Sequence, residues 1–189
     1  MKYLKDTTWQ EVFATWKKEE GSDPSWINFA TKVKGWPDWE SWRNFGAKQI
    51  GAEQRDWKIY ELDDPMKEIP EMLIGPFTGW QSRLPEKNKS AFIDLINIPE
   101  QYEHFKKHGK VVSMLESFPL DTEIMGFIRE EDGKIICLEG HHRATAVAIA
   151  AKESKKLNFG KVKIALAVLK KEEKELMNKV LERVTSMKN

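Results

Sequence analysis

Lys134-Ile-Ile-Cys-Leu-Glu-Gly-His-His-Arg-Ala-Thr-Ala-Val-Ala148 is the stretch whose reading decides the fold. A short apolar run ends in an acid and a glycine, and an alanine-rich segment follows at once. That is the pattern of a buried strand turning directly into a helix, expected over Ala144 to Lys152. Gly140 has no Cβ, so the turn tightens and a ligand can approach the backbone. The first amides of such a helix have no carbonyl partners within it, and the helix dipole adds positive potential there. A phosphate suits that position, and Arg143 adds a bidentate charged grip. His141 and His142 are candidates to donate to phosphate oxygens or to move a proton near neutral pH. Ala144, Val147, Ala148 and Ala151 share one face, which lets the helix sit close to a sheet. The plainer alternative is a structural turn with two capping histidines.

Outward from this stretch, Asp132-Gly133 is a hairpin dipeptide joining strands over Glu123 to Arg129 and Lys134 to Leu138. Val162, Ile164, Leu166 and Val168 alternate on one face of another strand, and a charged helix is expected from Lys171 to Met187. Upstream, Trp57 to Leu62 alternates as a strand, and Pro65, Pro70, Gly75 and Pro76 then interrupt any long element. Ser90 to Ile96 and Glu100 to His108 read as short helices, with Gly109 as the C-cap of the second. At the front, Thr8 and Glu11 have capping-box spacing, and Trp9, Val12, Phe13 and Trp16 recur at helical intervals. Asp23-Pro24 starts a second helix running to Lys34, and a third runs from Pro37 to Gln49. All eight tryptophans lie within the first 80 residues. Trp36, Trp39, Trp42 and Phe45, each three apart, sweep around their helix, so at least one ring should meet a second surface. The pattern is α+β: a helical, tryptophan-rich extension over residues 1–56 and a mixed-sheet domain over 57–189.

Composition bounds the function classes. The 189 residues suit one domain, and 40% hydrophobic with 32% charged residues suits a folded soluble protein. No apolar stretch approaches the roughly 18 residues that cross a bilayer, and Met1 to Thr8 lacks a signal-peptide core, so an intracellular, cytoplasmic chain is expected. Cys137 is the only cysteine, which excludes an internal disulfide framework and a cysteine-built zinc site. A net charge of +1 implies no general polyanion-binding surface.

The box Glu139-Gly140-His141-His142-Arg143, between strand and helix, resembles the ParB/sulfiredoxin fold, and within it the Asp-Gly-His-His-Arg box of the free-serine kinase branch. Gln81-Ser82-Arg83 stands where ParB proteins have Gln-Pro-Arg. Phe105 to Gly109 resembles the short helix before the central strands, and Val162 to Val168 with Glu172-Glu173 resembles the strand and acidic helix after the box. The likeness spans residues 57 to 187. It implies a nucleotide site for ATP, ADP or CTP, usually with magnesium. Gly140, His141, His142 and Arg143 would contact phosphates, and His142 and Glu139 would serve the chemistry. Glu139 would place the metal or an acceptor hydroxyl, and Arg83 would reach the same cleft. The function implied is nucleotide binding with phosphotransfer or nucleotide hydrolysis. The alternative is a non-enzymatic interaction or DNA-associated module. His141 stands where sulfiredoxin has its catalytic cysteine, so sulfinic-acid reduction is disfavoured. Without a following helix-turn-helix domain, centromere binding is disfavoured too. Glu61, Asp63, Asp64 and Glu86 are candidates for a further catalytic carboxylate.

Other features carry weaker readings. His104 and His108 have a permissible metal-ligand spacing, but helix-end histidines near a C-terminal dipole are the plainer reading. The basic excess after Lys152 is compatible with a nucleic-acid contact, yet a solvated helix with Glu175 and Lys179 as an i,i+4 pair is preferred. The tryptophans read as core rather than as a base-stacking platform. Trp80 differs: with Arg83 it lies in the glycine- and proline-punctuated stretch from Gly75 to Arg83, expected as a loop that forms a second wall of the cleft and covers the base or the acceptor.

Overall fold

Strand β1 (Lys2–Thr7) and strand β2 (Trp57–Glu61) open a six-stranded mixed sheet in the computed structural model, which describes residues 1–183 and 187. Between them lie α1 (Trp9–Glu20), α2 (Pro24–Asn28) continued by a π-helical turn over Phe29–Val33, and α3 (Trp39–Gln49). Then come α4 (Pro65–Glu68), β3 (Leu73–Ile74), α5 (Thr78–Gln81), α6 (Phe92–Asn97), α7 (Pro99–Phe105) and α8 (Gly109–Glu116). The hairpin β4 (Asp121–Arg129) and β5 (Ile135–Glu139), helix α9 (His141–Lys152), β6 (Lys161–Leu169) and α10 (Leu176–Leu181) complete the chain.

The strand order is β1-β2-β6-β4-β5-β3. β4 runs parallel to β6 and antiparallel to β5, and α9 makes the crossover from β5 towards β6. Strand β3 joins β5 in parallel, Leu73 opposite Ile136. Both faces of the sheet are covered. On one, α6, α8 and α9 pack Phe92, Leu95, Ile96, Val111 and Ile149 against Ile124, Cys137 and Ile164. On the other, Trp9, Phe13 and Trp39 from α1 and α3 meet Trp57, Phe127, Leu138 and Ala167. Each such ring or branched chain taken from water contributes on the order of 1.5–3 kcal/mol.

The fold class is a mixed sheet with helices, as expected, and several local readings change. Residues 1–56 are not helical throughout, because β1 pairs antiparallel with β2 along the sheet edge. Gly109 does not cap a helix C-terminus: α7 closes at Lys106 in right-handed conformation, and Gly109 is the first residue of α8. Helix α9 starts at His141, three residues before Ala144. Strand β6 is buried on both sides, since Ala165, Ala167 and Leu169 are covered as fully as Ile164 while Val168 is exposed. A strand inside a sheet covered on two faces has no polar side to show. The long terminal helix is a 3-10 turn over Lys171–Glu173 followed by α10, and the rest of that expectation falls partly outside the described residues. No helix among the described residues is long and apolar enough to cross a membrane.

Candidate functional site

Gly140 sits at φ +100°, in the left-handed region, so the chain leaves β5 and enters α9 within one residue. The three box side chains that follow then go to three different surroundings. His141 turns inward: the Gly75 N–H donates to its Nε2 at 3.2 Å, and its Nδ1 lies 3.8 Å from the Cys137 sulfur. Phe77, Trp80 and Phe92 enclose the ring. Burial, helped by His142 and Arg43, lowers its pKa to about 3, so the imidazole is neutral with its proton on Nδ1. The ring, expected to meet phosphate, is here buried and ties β3 to the start of α9.

His142 stacks on His108 with centroids 4.9 Å apart and meets Trp80 at 5.2 Å and Trp26 at 6.1 Å. Burial, then the neighbouring His108 and Lys110, lowers its pKa to about 3. It is neutral at pH 7, which removes it as a proton carrier near neutrality. Trp80, expected at a cleft wall, does touch the box through both histidines, and it is half-buried against Phe105 at 5.2 Å. It stands on the short helix α5, so the loop expectation for Gly75 to Arg83 is corrected too.

Arg143 is the electrostatic centre. Its guanidinium donates to Glu139, to Glu19 at the end of α1, and to Thr122 Oγ1 at 2.6 Å. Burial works against its charge, but Glu139 and Glu19 outweigh that and hold its pKa above the ordinary value. Glu139 is buried as well. Desolvation, opposed by Arg143 and reinforced by Glu20 and Glu19, pushes its carboxyl up to about 7. Beside this pair, Glu20 accepts from Arg43 at 2.6 Å and from the Trp39 indole N–H at 3.4 Å. Arg43 lies over Trp42 at 4.0 Å, Trp16 at 4.5 Å and Trp26 at 5.0 Å, a cation held among indole faces. The tryptophans thus hold the first three helices over the N-terminal end of α9.

Glu19, Glu20, Arg43 and Thr122 escape the sequence reading. Its one usable signal is the pair of acids in the last turn of α1, where the helix dipole disfavours negative charge unless a cation waits there. Arg83 does not face Arg143. It donates to the Gly79 carbonyl at 3.1 Å and to Gln101 at 3.0 Å and lies over the Phe105 ring. Of the further carboxylate candidates, Asp63 meets the N-terminal amine, Asp64 stands at the N-cap position of α4 with no side-chain cap bond, and Glu86 pairs with Lys89 at 3.4 Å; among the described residues none of the four is bonded to the box. Among the described residues no group of three or more His, Cys, Asp and Glu side chains is arranged to hold a metal, and His104 and His108 gain no third ligand. Glu139 as a magnesium ligand does not fit either. Its carboxylate is engaged by Arg143, so a dication there would face a guanidinium.

Neither a family model, nor a curated protein, nor a solved structure matches this chain.

Proposed function

We propose that the chain is a nucleotide-binding protein that takes phosphate at the N-terminal end of α9, where Glu19 now rests on Arg143. The observation that carries this reading is the Glu19–Arg143 contact: a carboxylate from the end of a separate helix has settled on a buried arginine at a helix start. A position that attracts one anion to Arg143 and the α9 dipole suits another, and a phosphate brings more charge than a carboxylate. The order strand, glycine, His-His-Arg, helix, strand supports the ParB/sulfiredoxin resemblance. In this reading phosphate exchanges with Glu19, and Trp26 and Trp80 flank the entrance beside His142. Glu139, poised near 7, takes the proton from an attacking water or hydroxyl as its oxygen bonds the terminal phosphorus and the bond to the leaving diphosphate breaks. No step runs through a metal.

A second reading rests on the saturation of the same box. Arg143 has three partners and His141 is knitted into the core, as suits an interaction module that keeps the arrangement for stability alone. Thermal shifts with ATP, ADP, CTP and GTP, each with and without magnesium, separate the two. A nucleotide at about 100 times its dissociation constant should stabilise the fold by roughly 2.7 kcal/mol. No response to any of them at millimolar concentration contradicts the nucleotide reading and favours the module.

A further inference from the structure

At the other end of the sheet, where β4 and β6 finish and β5 begins, lies a cavity of about 160 Å³. Six basic side chains line it, Lys87, Lys89, Arg129, Lys170, Lys171 and Lys174, against one acid, Glu131. The nearby carboxylates are held by groups outside the cavity or by two of its own cations, Arg129 and Lys89. Glu173 is held by Arg55 at 2.6 Å, with Lys170 beside it; Glu130 accepts from the Lys171 backbone N–H at 3.1 Å; Glu175 accepts from Asn178 at 3.0 Å. Asp132 binds Arg129, and Glu86 pairs only with Lys89. Among the described residues, no carboxylate lies within ion-pairing distance of the ammonium groups of Lys87, Lys170, Lys171 and Lys174.

The floor of the cavity is apolar, made by Ile136, Leu169 and Met177. Asn88, also in the wall, is held at φ 58° by its N–H to Gln81 at 2.7 Å and by its side-chain amide to Asn178 at 2.9 Å. Its Oδ1 is buried with no hydrogen-bond partner, which is costly unless a ligand donor meets it. Four unneutralised ammoniums around a low-dielectric floor make a concentrated positive field. One carboxylate answers one of those charges, whereas a chain of phosphates answers three or four.

We propose that this lysine-rimmed cavity binds a small oligophosphate ester, its phosphates on Lys87, Lys170, Lys171 and Lys174, its apolar body on Ile136, Leu169 and Met177, and a hydroxyl or amino donor on Asn88. The site is separate from the α9 box. Ile136 faces the α1–α3 side of the sheet, while α9 packs on the other face.

Titration calorimetry with inorganic tripolyphosphate and with ATP, without metal, tests it. The wild-type chain should bind both, ATP the tighter, and binding should weaken as sodium chloride rises. Lys171→Glu with Lys174→Glu should weaken tripolyphosphate at least tenfold while circular dichroism stays unchanged, since both side chains are exposed. Lys87→Glu, on a different segment, should act the same way and serves if the double variant fails to fold. Lys107→Glu, an exposed charge reversal on a side chain outside the cavity, should leave tripolyphosphate binding unaltered. Absence of binding at millimolar tripolyphosphate, equal binding by the wild-type chain and the cavity variants, or an equal loss in Lys107→Glu would each overturn the proposal. So would a single-stranded oligonucleotide binding tenfold tighter than either small anion, which would indicate an extended polyanion track.

Discussion

Glu139 and the two histidines beside it titrate in opposite senses, and that opposition is measurable. The folded chain holds a proton on Glu139 up to about pH 7, whereas an ordinary glutamate releases it near 4.5. The stability this adds is complete below pH 4.5 and is lost as pH rises through 7. His141 and His142 are held neutral down to about pH 3, against an ordinary value of 6.5. Their stability is complete above 6.5 and is lost as pH falls towards 3. Between about pH 6.5 and 4.5 two histidine protons therefore work against one glutamate proton, so acidification destabilises the fold. Each uncompensated proton is worth about 1.4 kcal/mol per pH unit. Urea unfolding at pH 7, 6 and 5 should show that loss. His142→Phe should flatten the slope and Glu139→Gln should steepen it; slopes unchanged by both substitutions would contradict the burial described for the box.

At the scale of elements, close approach decides what each segment tolerates. Gly75 ends β3 so near to β5 that an added Cβ would lie 2.1 Å from the Cys137 carbonyl oxygen and 3.1 Å from His141 Nε2. Gly75→Ala should therefore cost roughly 2–4 kcal/mol, read by chemical denaturation, because neither backbone nor ring can yield cheaply. Helices α1 and α3 are joined by the mostly buried Arg43–Glu20 pair. Arg43→Ala should cost about 3–5 kcal/mol by leaving Glu20 unpaired, and Glu20→Gln in the same chain should recover part of that loss. Additive losses would mean the pair holds nothing together.

The legible elements were those that bury one stripe or carry a local cap. Thr8 with Glu11, Asp23 with Pro24 and the Asp132-Gly133 turn all stand where the sequence puts them. Strand β1 escaped because it is an edge strand with almost every residue exposed, so no alternation marks it; its order comes from hydrogen bonds to β2. Strand β3 is two residues between Met72 and Gly75, too short for any period. Helix α8 was hidden by its own first residue, Gly109, which in sequence looks like a stop. At the site, the box itself was legible, but two of the three partners of Arg143, Glu19 and Thr122, come from α1 and β4, more than 20 residues away in sequence, and no local pattern encodes that meeting.

The whole molecule divides its charge between the two ends of one sheet. At the β5–α9 junction, Glu139, Glu19 and Glu20 face Arg143 and Arg43, so cations and anions nearly balance. At the opposite end, among the described residues, Lys87, Lys170, Lys171 and Lys174 have no carboxylate within ion-pairing distance, and Glu131 is the one acid in the cavity wall. An anionic ligand thus meets more competition at the first site than at the second. The nucleotide reading stands or falls on Glu19 as competitor. The direct measurement is calorimetric ATP affinity in two chains, both carrying Lys171→Glu and Lys174→Glu to silence the lysine cavity, one of them also carrying Glu19→Ala. Removing the carboxylate that rests on Arg143 should tighten ATP by roughly fivefold or more, about 1 kcal/mol. Equal affinity in the two chains, or no binding by either, would contradict the account.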